Sequence, residues 1–368
     1  METIVGVTRG TDKFESFKEL LNITKFDENI KNAFKASNKE KNNFKVVIKP
    51  NMMVFVRQEG HTATVTDKDL VEYLIDHLIS NGFTNISVCE AQHDVGQLLK
   101  NHNVQFISRQ IGYNPDGRYK IVDLTLEEKS YKYIFKNRQG KIRKWKDTVG
   151  VTWRDADYRI SFAKCKTHEH DWMTLSVKNI YGCFPSTRKV KKYHMQKEVW
   201  IVTSRSIYNF PVHFAFVDGW ISSDGFQGYK IAQPQDTRIL FGGENAVAVD
   251  MEIFKRAGLE YEQSKILKES VFQLYDGTYP SYQMIGDGTK LKDICGWKNI
   301  STPTVKFINL LEEIYLAWGF INLKASREVD FTLFPAKNFF NNFLVWLSKQ
   351  LYKILMHFRF YRKLYDDA

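Results

Sequence analysis

Cationic and ionisable side chains recur at alternate positions in Lys164-Cys165-Lys166-Thr167-His168-Glu169-His170. In an extended segment alternate side chains share one face, so Lys164, Lys166, His168 and His170 are expected in one row. Lysine offers point charges to a phosphate or carboxylate, and histidine offers a proton near neutral pH. The row therefore suits an anion clamp with acid/base capacity, and His194 and the basic run 188–192 follow it closely. A solvated basic strand edge has the same composition and is the competing account. Downstream, Thr174-Leu175-Ser176-Val177-Lys178-Asn179-Ile180-Tyr181-Gly182 reads as a short helix or turn presenting Lys178 and Asn179. A lysine between apolar neighbours either loses hydration and serves as base or nucleophile, or snorkels with only its stem buried.

Metal chemistry is a second use of the same groups. His168 and His170 with Asp171 or Glu169 make a donor set that suits several divalent ions, although H-x-H spacing is also that of ordinary hydrogen-bonded histidines. Asp218-Gly219-Trp220 and Ser223-Asp224-Gly225-Phe226-Gln227-Gly228 read as a glycine-bearing loop with two carboxylates, able to approach a ligand, hold a cation or simply turn. Asp218 and Asp250 are the carboxylates expected to hold a divalent ion. The sequence contains no Walker A motif, no G-x-G-x-x-G after a strand, no G-x-S-x-G and no H-E-x-x-H, which removes the usual support for P-loop kinase, classical dehydrogenase, serine hydrolase and zincin chemistry.

The elements that must position these groups follow from hydrophobic pattern. Residues 44–48 are an apolar, β-branched run closed by Lys49-Pro50-Asn51, a strand ended by proline. Over 67–80, Leu70, Val71, Leu74, Ile75 and Leu78 recur at helical spacing, with Thr66 or Asp67 as N-cap and Gly82 just past the end. Residues 85–89 supply a second strand that delivers Glu90. Strand, helix and strand over this span form a crossover unit with parallel strands. Ligands bind outside the carboxyl ends of such strands, so Lys49, Asn51 and Glu90 are expected at one edge. Residues 118–146 alternate aromatic, aliphatic and basic side chains around Asn137-Arg138-Gln139-Gly140, which predicts a β-hairpin excursion. Residues 158–163 predict a further strand, 214–217 and 238–241 two more, and 244–257 a helix.

From 339 to 361, Phe339, Phe340, Phe343, Leu344, Leu347, Leu351, Ile354, Leu355 and Phe358 fall on one helical stripe among Lys349, Lys353, Arg359, Arg362 and Lys363. That is the composition of an interfacial amphipathic helix, too interrupted by charge to span a bilayer, and equally of a helix docked on the core or on a second subunit. The fold class expected is α/β: a mostly parallel sheet with flanking helices, a β-hairpin insertion at about 118–148 and a C-terminal amphipathic helix. The α/β domain takes 1–325 and the helical tail 326–368, with the break near Ser326.

Lysine and arginine number 53 against 42 acidic residues, so a net charge of +11 points to an anionic partner. The basic residues gather at 132–146, at 188–197 and in the last thirty positions. Cys89, Cys165, Cys183 and Cys295 are scattered without a C-x-x-C pair, which predicts reduced thiols in a cytoplasmic protein and no iron–sulfur cluster. The first ten residues have no apolar run of signal-peptide length.

Ile48-Lys49-Pro50-Asn51, the K-x-K-x-H run at Lys164–His168, the K-N-x-x-G of Lys178–Gly182, Asp218-Gly219 and Ala246-Val247-Ala248-Val249-Asp250 together resemble the domain of unknown function 362 family over about residues 40–260. The resemblance implies an α/β domain whose shared motifs cluster at one edge, with a broader similarity to the domain that opens nickel-pincer lactate racemases. Its pattern falls on Lys49, Asn51, Glu90, Lys166, His168, Lys178, Asn179, Gly182, Asp218 and Asp250. Racemase chemistry does not carry over, because the cofactor-attachment pattern of those enzymes is missing, as are the ferredoxin-type cysteines of many relatives.

Two functions of different class follow. In the first the chain is an enzyme for a small anionic substrate, phosphorylated, carboxylated, or lipid- or sugar-linked. Its catalytic groups are His168, Lys178 and Glu90, its binding groups Lys49, Asn51, Lys166, Asn179 and Gly182, and a divalent metal is the one cofactor the residues admit. In the second it is a membrane-peripheral binding or scaffold protein gripping anionic lipid through its basic clusters and residues 337–363, in the cytoplasm or at the membrane surface. Nucleic-acid binding through lysines and aromatics at 131–145 is a third reading without a recognised motif, and a homodimer is compatible with all three.

Overall fold

All five residues of the strand Val46–Pro50 are buried, which a strand achieves only when both faces of its sheet are covered. The computed structural model describes residues 3–53, 63–168, 171–194, 199–224, 233–294 and 332–358. Its strands are β1 (Ile4–Arg9), β2 (Val46–Pro50), β3 (Ile86–Glu90), β4 (Lys120–Asp123), β5 (Glu128–Lys136), β6 (Ile142–Gly150), β7 (Tyr158–His168), β8 (Trp172–Thr174), β9 (Phe214–Asp224), β10 (Gln233–Gln235), β11 (Ile239–Gly243) and β12 (Gln283–Gly286). The helices are α1 (Lys13–Ile23), α2 (Phe26–Ser37), α3 (Lys68–Ser80), α4 (Val104–Ile111), α5 (Val151–Arg154), α6 (Ser176–Asn179), α7 (Val199–Asn209), α8 (Ala246–Ala257), α9 (Lys265–Tyr275), α10 (Leu291–Ile294) and α11 (Phe339–His357).

Among the described residues ten strands form one sheet in the order β12-β1-β11-β9-β7-β2-β3-β4, with β10 beside β9 and β8 beside β7. The run β9-β7-β2-β3-β4 is parallel throughout, and β11 runs against its neighbours β9 and β1. Strand alternation divides the core cleanly. Val46, Ile48, Ile160, Phe162, Phe214 and Phe216 point to the layer of α1, α2, α3 and α4, where Phe17, Phe26, Leu74 and Ile107 meet them. Ala163, Cys165, Ala215 and Val217 point the other way, toward α8 and α9. The expected α/β class is therefore the observed one.

Two elements differ from their expected form. The segment at 118–123 is not hairpin: β4 pairs with β3 at the sheet edge, and the hairpin proper is β5–β6, turning at Asn137 to Lys141 with Gly140 at φ 73°. Tyr133 and Trp145 of that hairpin turn inward onto Phe184. The strand entering Asp218-Gly219 does not end there, because β9 continues to Asp224 against β10. Residues 225–228 of the expected loop, and the break near Ser326, lie outside the described residues. At the far end, α11 reaches the domain through Lys100 N to Pro335 O at 2.7 Å and Lys337 N to Leu98 O at 2.9 Å.

The four-residue helix α6 is too short to hold itself. Asp250, inside α8, accepts from Ser176 N and Val177 N at 2.9 Å each and from the Ser176 hydroxyl, and so fixes its first turn. Burial pushes the Asp250 carboxyl up to about 7, so the folded chain holds a proton that the unfolded chain, with an ordinary carboxyl near 3.8, releases. Its contribution is largest below that lower value and declines as pH rises through 7. Asp250→Ala is expected to lower urea-unfolding stability by about 2–4 kcal/mol, by stranding buried donors, with a larger loss at pH 5 than at pH 8. A loss that is equal at both pH values would contradict this account.

Candidate functional site

The carboxyl ends of β2, β3 and β7 open onto a cleft of about 160 Å³. At its floor Lys49, wholly buried at the end of β2, donates to Glu90 Oε2 at 2.8 Å, Asn179 Oδ1 at 3.0 Å and Pro50 O at 2.8 Å. Those three acceptors satisfy the ammonium completely. Asn179, at the end of α6, donates to Lys49 O at 2.6 Å and Ser161 Oγ at 3.1 Å. Its carbonyl also accepts from Asn51 Nδ2 at 2.8 Å, while Asn51 Oδ1 accepts from Lys164 N at 2.8 Å. Gly182 lies against this pair: a Cβ there would stand 2.5 Å from Glu90 Oε1 and 2.7 Å from Lys49 Nζ. Glycine is thus required by close approach rather than by backbone angle.

Lys166, His168, Lys178 and Thr174 line the mouth, with Lys166 Nζ donating to Thr64 O at 3.0 Å. All eight residues expected to bind or catalyse, Lys49, Asn51, Glu90, Lys166, His168, Lys178, Asn179 and Gly182, line this one cleft. His93, Tyr181 and Lys189 also line it without having been named as site residues. Burial draws the His93 imidazole down to about 3, helped by His102, Lys189 and His194, so this ring is neutral at physiological pH. Burial also lowers the Lys189 ammonium, with Glu90 pulling the other way and Lys49 adding to the depression. Its Nζ lies 3.4 Å from Gly182 O. Lys189 was visible only as one member of a basic run, and His93 carried no pattern at all.

Several expected groups are elsewhere, each for a physical reason. Lys164 faces the α1–α3 layer and pairs with Asp218 at 2.8 Å, both fully buried, whereas Lys166 lines the cleft, so the expected single row is divided. Asp218 also accepts from Asp67 N at 2.8 Å and Trp220 N at 2.9 Å, so it secures the start of α3 and does not line the cleft. Asp250 is the α6 clamp. Asp171 accepts from Ser264 Oγ at 2.5 Å and Lys265 N at 2.7 Å at the start of α9. Glu169 and His170 lie outside the described residues. Among the described residues no group of three or more His, Cys, Asp or Glu side chains is placed to hold a metal.

The family model for the domain of unknown function DUF362 matches residues 46–255, which spans β2 to α8 and every residue of the cleft floor. The chain belongs to this family. No curated protein matches the sequence. Among solved structures the DUF362 chain is similar to the lactate racemase apoprotein from Thermoanaerobacterium thermosaccharolyticum, at 12% identity and TM-score 0.38, over 68% of this chain. It covers 56% of that protein, a little over half of its length.

Glu90→Ala leaves Lys49 buried without its carboxylate and is expected to cost about 3–5 kcal/mol in urea unfolding, whereas Gly182→Ala, which forces the pair to shift, costs about 1–3 kcal/mol. A Gly182→Ala protein as stable as wild type would mean that Gly182 has room the structure does not show. In a separate measurement, NMR titration of reductively ¹³C-methylated protein should place Lys189 below the surface lysines; a Lys189 resonance titrating with them would sink that assignment.

Proposed function

We propose that this DUF362 protein is an enzyme whose cleft binds a small phosphorylated or carboxylated substrate. The observation that carries the reading is the charge of the lining: Lys49, Lys166, Lys178 and Lys189 converge there, and Glu90, already committed to Lys49, is the sole carboxylate among the described lining residues. Such a concavity with low-dielectric walls attracts and concentrates anions. Lys166 and Lys178 at the mouth hold the anionic group, and His168 beside them takes or gives the proton. Lys49, Glu90, Asn51 and Asn179 keep the floor rigid, so the mouth groups act on a fixed frame. The residues put forward for a divalent ion are engaged in other contacts, Asp218 with Lys164 and Asp250 with the start of α6.

Inorganic phosphate or acetate is expected to raise the melting temperature, and Lys166→Ala or Lys178→Ala each to weaken that binding by about tenfold or more, the worth of one charge-assisted hydrogen bond. For turnover, purified protein incubated with a phosphate-rich metabolite extract should deplete at least one species by mass spectrometry, while His168→Asn binds phosphate but depletes nothing. Anions that leave the wild-type melting temperature unchanged, or a His168→Asn protein as active as wild type, would overturn the reading.

A further inference from the structure

Helix α11 is docked by one face and bare on the other. Leu344 and Val345 are buried, Val345 within the core of the α1–α4 layer, and Asn341 Nδ2 donates to Leu98 O at 3.2 Å. On the opposite side Phe339 is 89% exposed, Phe343 47%, Trp346 54% and Ile354 56%. Their spacing of four, three and eight residues keeps them within one helical stripe. Single exposed apolar side chains need no explanation, but four exposed aromatics, Phe339, Phe340, Phe343 and Trp346, in the first eight residues of a 19-residue helix, with Ile354 further along, do. The expected single apolar stripe is thus divided in the fold, with the smaller part turned inward and the larger aromatic part outward.

We propose that the outer face of α11 seats this protein on an anionic lipid surface, with the helix lying in the plane of the interface. Two observations select lipid over other occupants. The first is charge: Lys337 and Lys353 are exposed at either end of the stripe, the sequence continues through Arg359, Arg362 and Lys363, and the whole chain carries +11. A second copy brought against this face would meet the same positive charge, whereas an anionic headgroup layer neutralises it. The second is the form of the helix. Among the described residues no helix is long and apolar enough to cross a membrane, while an exposed tryptophan beside a stacked phenylalanine, ring centroids 5.9 Å apart, suits the headgroup boundary. The docking stands independently of the enzymatic reading.

The test is vesicle flotation of the full chain with phosphatidylcholine alone and with phosphatidylcholine containing phosphatidylglycerol. Wild type is expected to float with the anionic vesicles, less so as salt screens the attraction, and poorly with the neutral ones. Phe343→Ser/Trp346→Ser, altered only on the outward face, should keep the wild-type melting temperature and bind at least about tenfold more weakly, as loss of two interfacial aromatics requires. Absence of flotation, or equal flotation of the double variant, would overturn the proposal. So would sedimentation equilibrium showing a dimer that the double variant dissociates, since a second copy would then be what covers the stripe.

Discussion

An ammonium taken out of water must recover a counter-charge and three acceptors, or the fold does not tolerate it. Lys49 recovers all of these from three different parts of the chain: Glu90 at the end of β3, Asn179 at the end of α6, and the carbonyl of Pro50 beside it. The rest of the site depends on that arrangement. Asn179 can serve Lys49 only if α6 begins where Asp250 holds it, and Asn51 can share the Asn179 carbonyl only if β7 offers Lys164 N to its own oxygen. A single buried charge thereby ties β2, β3, β7 and α6 to one geometry, and Gly182 is the residue small enough to close over it.

A second buried lysine shows the same physics used for another end. Lys164 and Asp218 pair on the opposite side of the sheet, among the phenylalanines of the α1–α4 layer, and the carboxylate also accepts from the backbone that starts α3. Both lysines sit near strand ends, and both are embedded in family motifs. One lies under the cleft and the other holds a helix. Strand alternation separates them, since Lys164 shares the parity of Phe162 while Lys49 shares that of Val47.

Much of the fold was legible because its signals are local. Leu70, Val71, Leu74, Ile75 and Leu78 repeat with helical period, and Asp67 caps the helix they form. The strands at 46–50, 86–90 and 158–168 announce themselves as apolar runs closed by polar residues, and their parallel pairing follows from the helix between the first two. The candidate site was legible to the same depth: the rule that parallel strands present ligands at their carboxyl ends selected Lys49, Asn51 and Glu90 before any coordinate. What could not be read was the partner of each charge. Lys164 and Lys166 are two residues apart and chemically identical, yet one pairs with Asp218 in the core and the other reaches Thr64 O at the cleft. His93 and Lys189 are 96 positions apart and meet only because the segments after β3 and after α6 fold against each other.

The sequence by itself determined the α/β class, the strands that end in cationic and amide residues, the family, and the amphipathic composition of the last helix, because hydrophobic period and residue type are properties of neighbouring positions. Only the tertiary structure decided which carboxylates serve the cleft and which serve the frame, which lysines are buried, and which side of α11 is bare. Those outcomes depend on contacts between residues tens to hundreds of positions apart. Desolvation makes the contacts selective: a charge is tolerated in the interior only where the complete fold delivers its partner.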